Sequence, residues 1–115
     1  MILVFIASPF RAPTDWQRAE NVRDAERAAL DVWKAGACAV CPQANSALFH
    51  GECPDEVFLA GYRSLLIRCD AVYVAGQESE GVKAELAVAT CPVFYDMPGL
   101  VAWLERSEAP LFHRG

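Results

Sequence analysis

Residues 2–7, Ile-Leu-Val-Phe-Ile-Ala, are apolar without a break. A strand with one face in water alternates apolar and polar side chains. An unbroken apolar run is instead the pattern of a strand covered on both faces, as the central strands of parallel sheets are. The run is too short to cross a membrane and has neither a basic leader nor a small-residue cleavage pattern. It is therefore read as a buried strand, not an anchor or signal peptide. Ser8-Pro9 ends it.

The rest of the chain alternates strand-like and helix-like segments. Thr14 and Gln17 form a capping box ahead of a helix over 15–35, whose apolar stripe is Trp16, Ala19, Val22, Ala25, Ala29, Val32 and Trp33. Gly36 offers a left-handed end to that helix. Residues 37–41 read as a second strand, stopped by Pro42. Residues 42–53 show no sustained period and are expected to form a loop with room for one helical turn. Pro54, Asp55 and Glu56 suit the start of a second helix near 54–68, with Val57, Phe58, Gly61, Leu65 and Cys69 on its apolar side. A third strand at 71–75, a third helix near 80–90 and a short fourth strand at 92–95 follow. Asp96 then caps a last helix that carries Leu100, Val101, Trp103 and Leu104. This β-α-β-α-β-α-β-α order predicts one α/β domain over 1–115, with a parallel sheet, right-handed crossovers and helices on both faces.

Composition agrees. At 115 residues and 54% hydrophobic, the chain can bury one core without a covalent staple. A net charge of -5 disfavours a nucleic-acid polymer or an anionic membrane as partner, but not a small phosphate held by a few local donors. Five cysteines and no export signal point to reduced thiols and the cytoplasm. Cys38 and Cys41 make a C-x-x-C, yet redox pairs of this kind open helices, and residues 37–41 read as a strand. Cys53 and His50 would complete four zinc ligands, but the second paired half of a zinc motif is missing. Packing cysteines are the default, and neither metal nor cofactor is expected.

Sheets of this class bind ligands beyond the carboxyl ends of their strands, where the strand order reverses. After the first strand stand Ser8 and Arg11, able to hold a hydroxyl or a phosphate, though a polar surface loop explains them equally well. After the second stand Gln43 and Asn45, suited to a base or sugar edge, with His50 further on. A lone loop histidine is more often solvated than catalytic. After the third comes the strongest signal, Gly76 to Glu85. Ser79 and Gly81 sit at a helix start, where free N–H groups favour an anion and a glycine permits close approach. Glu85 lies about one and a half turns further on, among small apolar residues, and is a candidate acid, base or nucleophile. Taken locally, Ser79 as a plain cap and Glu85 as an exposed helix residue remain the simpler reading.

The ordered set changes that weighting. Ile6-Ala7-Ser8-Pro9-Phe10-Arg11, a helix bearing Asn21 and Glu26, Val40-Cys41-Pro42, Cys69-Asp70-Ala71-Val72 and Ser79-x-Gly81-x-x-x-Glu85-x-x-x-Ala89 follow one another along nearly the whole chain. Together they resemble the nucleoside 2-deoxyribosyltransferase-like superfamily, particularly its small phage and bacterial members. The resemblance implies a flavodoxin-like (Rossmann-like) three-layer fold with a sheet of four to five strands, the fifth near the C-terminus. It implies a double displacement in which Glu85 attacks the anomeric carbon of a (deoxy)nucleoside, releases the base and forms a glycosyl ester. Water or a second base then resolves the ester, as in retaining glycosidases. It also implies that Ser79, Gly81 and Arg11 hold the 5′ end, with Ser8 and Asn45 as further pocket residues. Family members that act on free nucleosides carry an aspartate where Ser79 stands. The serine, paired with Arg11, is instead similar to the deoxynucleoside 5′-monophosphate N-hydrolases, because a carboxylate would repel the phosphate.

One position departs from the pattern. Tyr62 stands where the family carries an aspartate on its second helix, and a phenol can donate a hydrogen bond but supplies no charge. Asp55 and Glu56 lie about two turns earlier and are poor substitutes. The alternative is accordingly a domain of the same fold that binds or senses a nucleotide without turning it over. The expected partner is a small nucleoside or nucleotide. The resemblance also implies a homodimer or larger homo-oligomer, to which Phe49, Phe58 and Trp103 are interface candidates or plain core residues.

Overall fold

The computed structural model describes residues 1–107. Its elements are β1 (Leu3–Ala7), α1 (Asp15–Lys34), β2 (Cys38–Val40), α2 (Pro42–Asn45), a 3-10 turn (Ala47–Phe49), α3 (Asp55–Leu66), β3 (Ala71–Val74), α4 (Glu80–Val88), β4 (Val93–Phe94) and α5 (Met97–Ser107). The four strands form one sheet in the order β2-β1-β3-β4, and every neighbouring pair is parallel. The fold is therefore the α/β, flavodoxin-like arrangement expected. The fifth strand implied near the C-terminus is not found among the described residues, and anything beyond residue 107 lies outside them.

β1 is central and covered on both faces, as its unbroken apolar run requires. Val4 and Ile6 pack with Ala25, Ala28, Ala29 and Val32 of α1 and Leu100 and Leu104 of α5. Phe5 and Ala7 pack on the opposite side with Leu66 of α3, Val82 of α4, and Val72 and Val74 of β3. The period of two along the strand thus feeds two separate cores. Asp70 ties the amino edge of the sheet, its Oδ2 accepting from the Leu3 N–H at 2.8 Å.

The helix ends follow their sequence signals. Thr14 Oγ1 accepts from the Gln17 N–H at 3.2 Å, and the Gln17 side chain returns to the threonine hydroxyl rather than to its backbone. Gly36 takes a φ of 94°, the left-handed geometry in which glycine has no Cβ penalty. Asp96 Oδ1 accepts from the Gly99 N–H at 2.8 Å and caps α5.

Two helix stripes differ from expectation. On α1, Trp16 is 76% exposed and Trp33 is also exposed, while Ala28 joins Ala25, Ala29 and Val32 in the core. Small alanines let the long helix lie close on the sheet, and the bulky tryptophans fall at its margins. On α3 the inward side is Phe58, Tyr62 and Leu66, whereas Val57 and Leu65 are exposed. Spacings of four place that inward face correctly, but it includes a tyrosine because it borders a cavity. Residues 42–53 hold one short helix and a 3-10 turn, slightly more structure than the single turn expected.

Trp103 lies against Phe94 with ring centroids 5.4 Å apart and an interplanar angle of 43°, and packs, partly buried, against the core. Phe58 lines the cavity described below, and Phe49 remains exposed. No helix of the described residues is long and apolar enough to cross a membrane.

Candidate functional site

The chain leaves β1 towards β2 on one side and then returns across β1 to build β3 on the other. The order therefore reverses between β1 and β3, and in open sheets a crevice forms at that reversal. A cavity of about 450 Å³ lies there. Its walls come from the loop after β1 (Ser8, Phe10, Arg11), from α2 and the turn after it (Gln43, Ser46, His50), from α3 (Asp55, Phe58, Leu59, Tyr62, Arg63) and from the start of α4 (Ser79, Glu80, Gly81, Glu85).

The α4 wall is built as follows. Gly76 opens the turn between β3 and α4 with a φ of 82°. Ser79 Oγ accepts from the Val82 N–H at 3.2 Å, the bond of an N-cap. A serine hydroxyl also has a proton to donate, and the cap does not use it. Capping and ligand contact are therefore compatible in Ser79. Gly81 does not need its freedom for a left-handed backbone. A Cβ built on it would meet nothing nearer than Ser79 Oγ at 3.8 Å, so the missing side chain leaves room in the cavity. One turn later Glu85 faces the same space. Its carboxyl is pushed up from 4.5 to about 7 by burial alone, with no cation offsetting the loss of water. Glu80, exposed at the rim, pairs with Lys83 at 3.6 Å.

The opposite walls are tied by three sets of polar contacts. Gln43, only 6% exposed, donates from Nε2 to the Ser8 carbonyl at 2.7 Å and accepts a weak contact from Cys41 Sγ at 3.6 Å. It fixes the loops after β1 and β2 to each other. Tyr62 donates to Ser46 Oγ at 2.6 Å and accepts from Asn45 Nδ2 at 3.0 Å. Ser46 passes its own proton to the Pro42 carbonyl at 3.3 Å. Arg11 Nη2 lies 2.9 Å from Asp55 Oδ2, joining the loop after β1 to the start of α3. Asn21 of α1 donates to the Phe10 carbonyl at 3.3 Å and steadies the same loop, and the Phe10 and His50 rings lie 6.1 Å apart beside it.

The structure brings Ser8, Arg11, Tyr62, Ser79, Gly81 and Glu85 to one cavity. Asn45 is not on its wall; it is exposed and donates to Tyr62, at the cavity's edge. Tyr62 does donate a hydrogen bond, and its one proton goes to Ser46. Asp55, set aside as too remote, does reach the cavity. Seven residues are almost two whole turns, which returns Asp55 to the face that Tyr62 occupies. Arg63 was missed altogether, although it lines the cavity and has no ion-pair partner among the described residues. Residues 55, 58–59 and 62–63 recur at helical spacing, and that stripe was the available signal.

The C-x-x-C spans a strand and a cap. Cys38 opens β2 and Cys41 is the N-cap of the four-residue α2. Burial pushes the Cys41 thiol up, against what a reactive thiolate requires. The five cysteines are unpaired, and among the described residues no three His, Cys, Asp or Glu side chains gather as a metal site would need.

No family model, curated protein or solved structure matches this chain.

Proposed function

We propose that this protein cleaves the N-glycosidic bond of a (deoxy)nucleoside or its 5′-monophosphate, as a hydrolase or a deoxyribosyltransferase, with Glu85 as nucleophile. The observation that carries the reading is the position of Glu85, a part-buried carboxylate on the cavity wall one turn beyond Gly81. A sugar with its 5′ end at Ser79 and Gly81 has its anomeric carbon further along α4, towards the carboxylate. Ionised Glu85 attacks that carbon as the bond to the base breaks, and the bonding pair leaves on the base, which takes up a proton. The resulting ester then yields to water or to a second base, with the opposite displacement at the same carbon. The order of motifs that resembles the nucleoside 2-deoxyribosyltransferase-like superfamily supports this assignment. Arg11 and Ser79 favour a phosphorylated substrate.

Incubating the purified protein with the common deoxynucleosides and their 5′-monophosphates, and measuring free base, tests the proposal. Base release by the wild type and its loss in Glu85→Gln are expected. If the wild type releases no base from any of them, and Glu85→Gln binds them unchanged, the proposal fails.

A second reading is favoured by the fate of Tyr62. Its hydroxyl proton is held by Ser46, so the residue cannot orient a sugar or the nucleophile as a carboxylate would. A nucleotide-sensing domain without turnover fits that arrangement. Raised melting temperature with a nucleotide, together with no base release, would select it.

A further inference from the structure

Resting on the reading of the cavity as a nucleotide site, we infer that the Arg11–Asp55 ion pair is a charge latch across the cavity mouth. The ligand's phosphate opens the latch, and Asp55 sets how strongly charged a ligand must be to engage Arg11. The two residues are far apart in sequence, both line the cavity, and they meet through one contact at 2.9 Å. The arginine comes from the loop after β1 and the aspartate from the first turn of α3, so the pair bridges two walls. Both side chains are largely in water, at 73% and 45% exposure. An exposed pair of this kind is weak and readily exchanged.

Asp55 is a built-in competitor for Arg11. Its carboxylate carries a single charge, whereas a phosphate monoester near neutral pH carries close to two. Arginine binds either anion through its planar fork, and its pairing with phosphate is frequently bidentate. A dianion therefore gains more from Arg11 than Asp55 loses, whereas a neutral nucleoside gains nothing and leaves the latch shut. Once released, Asp55 would repel the phosphate across the mouth, but Arg63 lines the same α3 wall and has no ion-pair partner among the described residues. It is placed to share the incoming charge. Glu80 is already engaged by Lys83. Asp55 is thus a positioning and selectivity residue that acts through Arg11.

The test compares the wild type with Asp55→Asn and Arg11→Ala, using calorimetry with deoxynucleoside 5′-monophosphates and the matching nucleosides at low and moderate salt. In parallel, the Arg11 side-chain NMR signal is followed during titration with inorganic phosphate. Asp55→Asn should bind monophosphates about two- to fivefold more tightly, since it removes a weak competing pair. It should leave nucleoside affinity unchanged and steepen the salt dependence. Arg11→Ala should lose the preference for monophosphates. A merely structural loss would weaken nucleosides and nucleotides alike. If monophosphates bind the wild type but Asp55→Asn weakens them or leaves the ratio to nucleosides unchanged, the latch is overturned and the nucleotide reading survives. If monophosphates do not bind but phosphate shifts Arg11 at lower concentration in Asp55→Asn, the latch holds and the nucleotide reading fails. If no probe binds or shifts Arg11 in any variant, both fall.

Discussion

Replacing Glu85 by glutamine should stabilise the protein above neutral pH and do almost nothing below about pH 4. Burial raises this carboxyl from 4.5 to about 7. At about 1.4 kcal/mol for each pH unit, the ionised form costs the folded state about 3 kcal/mol relative to the protonated form. Glu85 still borders an open cavity, so the measurable share is about 1–3 kcal/mol. The sign follows from proton counting. Between pH 4.5 and about 7 the folded chain holds a proton that the unfolded chain has released, so stability falls as pH rises through that window. Below it both states are protonated and the penalty vanishes; above it the penalty is complete. Glutamine is neutral throughout and fills the same volume.

Urea unfolding of the wild type and Glu85→Gln at pH 5 and pH 8 isolates the effect, because every other titrating group cancels in the difference. The variant should gain about 1–3 kcal/mol more at pH 8 than at pH 5, or roughly 5–10 °C in melting temperature for a domain of this size. An equal difference at both pH values would refute the reasoning, since it would mean that Glu85 ionises as freely in the folded chain as in the unfolded one. The same titration predicts the catalytic profile. A nucleophile must be ionised, so base release should rise from about a tenth of its maximum at pH 6 to about nine-tenths at pH 8. A profile already flat at pH 5 would contradict a half-ionised Glu85 at neutrality.

Three further substitutions separate structure from site. Gly81→Ala fits without clash and should raise stability by about 0.5–1 kcal/mol through helix propensity, while ligand affinity measured by calorimetry falls because the methyl enters the cavity. Ser79→Asp keeps an N-cap, so thermal melting should hardly change, but the ratio of monophosphate to nucleoside affinity should drop; retention of that ratio would remove Ser79 from the phosphate site. Tyr62→Phe deprives both Ser46 and Asn45 of a partner and should cost about 1–2 kcal/mol in urea unfolding, with faster amide exchange over 45–50.

The strands and helix ends of this fold are legible in the sequence because each depends on local chemistry. The apolar run ending at Ala7, the Thr14 cap and the turn at Gly36 each need only a few neighbouring residues. The side of a helix is harder to read, and α3 shows why. Its apolar residues Val57 and Leu65 suggest one face, but the side that borders the cavity carries Asp55, Tyr62 and Arg63 beside Phe58. A hydrophobic stripe predicts the side that meets a core. It misleads where a helix also walls a cavity, because that wall selects for groups that meet a ligand and water.

The same reasoning separates what was legible of the site from what was not. Ser79, Gly81 and Glu85 share the start of one helix, so their spacing in the chain already places them together. The bonds that close the other side join Arg11 to Asp55 and Tyr62 to Ser46, and no local pattern pairs residues so far apart. These contacts also decide what the site residues have left to offer. Tyr62 has given its proton to Ser46, and Arg11 is held by Asp55, whereas Ser79 keeps its proton and Glu85 has no partner among the described residues. The groups still free for a ligand therefore lie mainly on α4, and those already engaged lie across the mouth from it. A ligand that draws Arg11 away from Asp55 would join the two sides, so the first contacts should form on α4 and the last at the mouth.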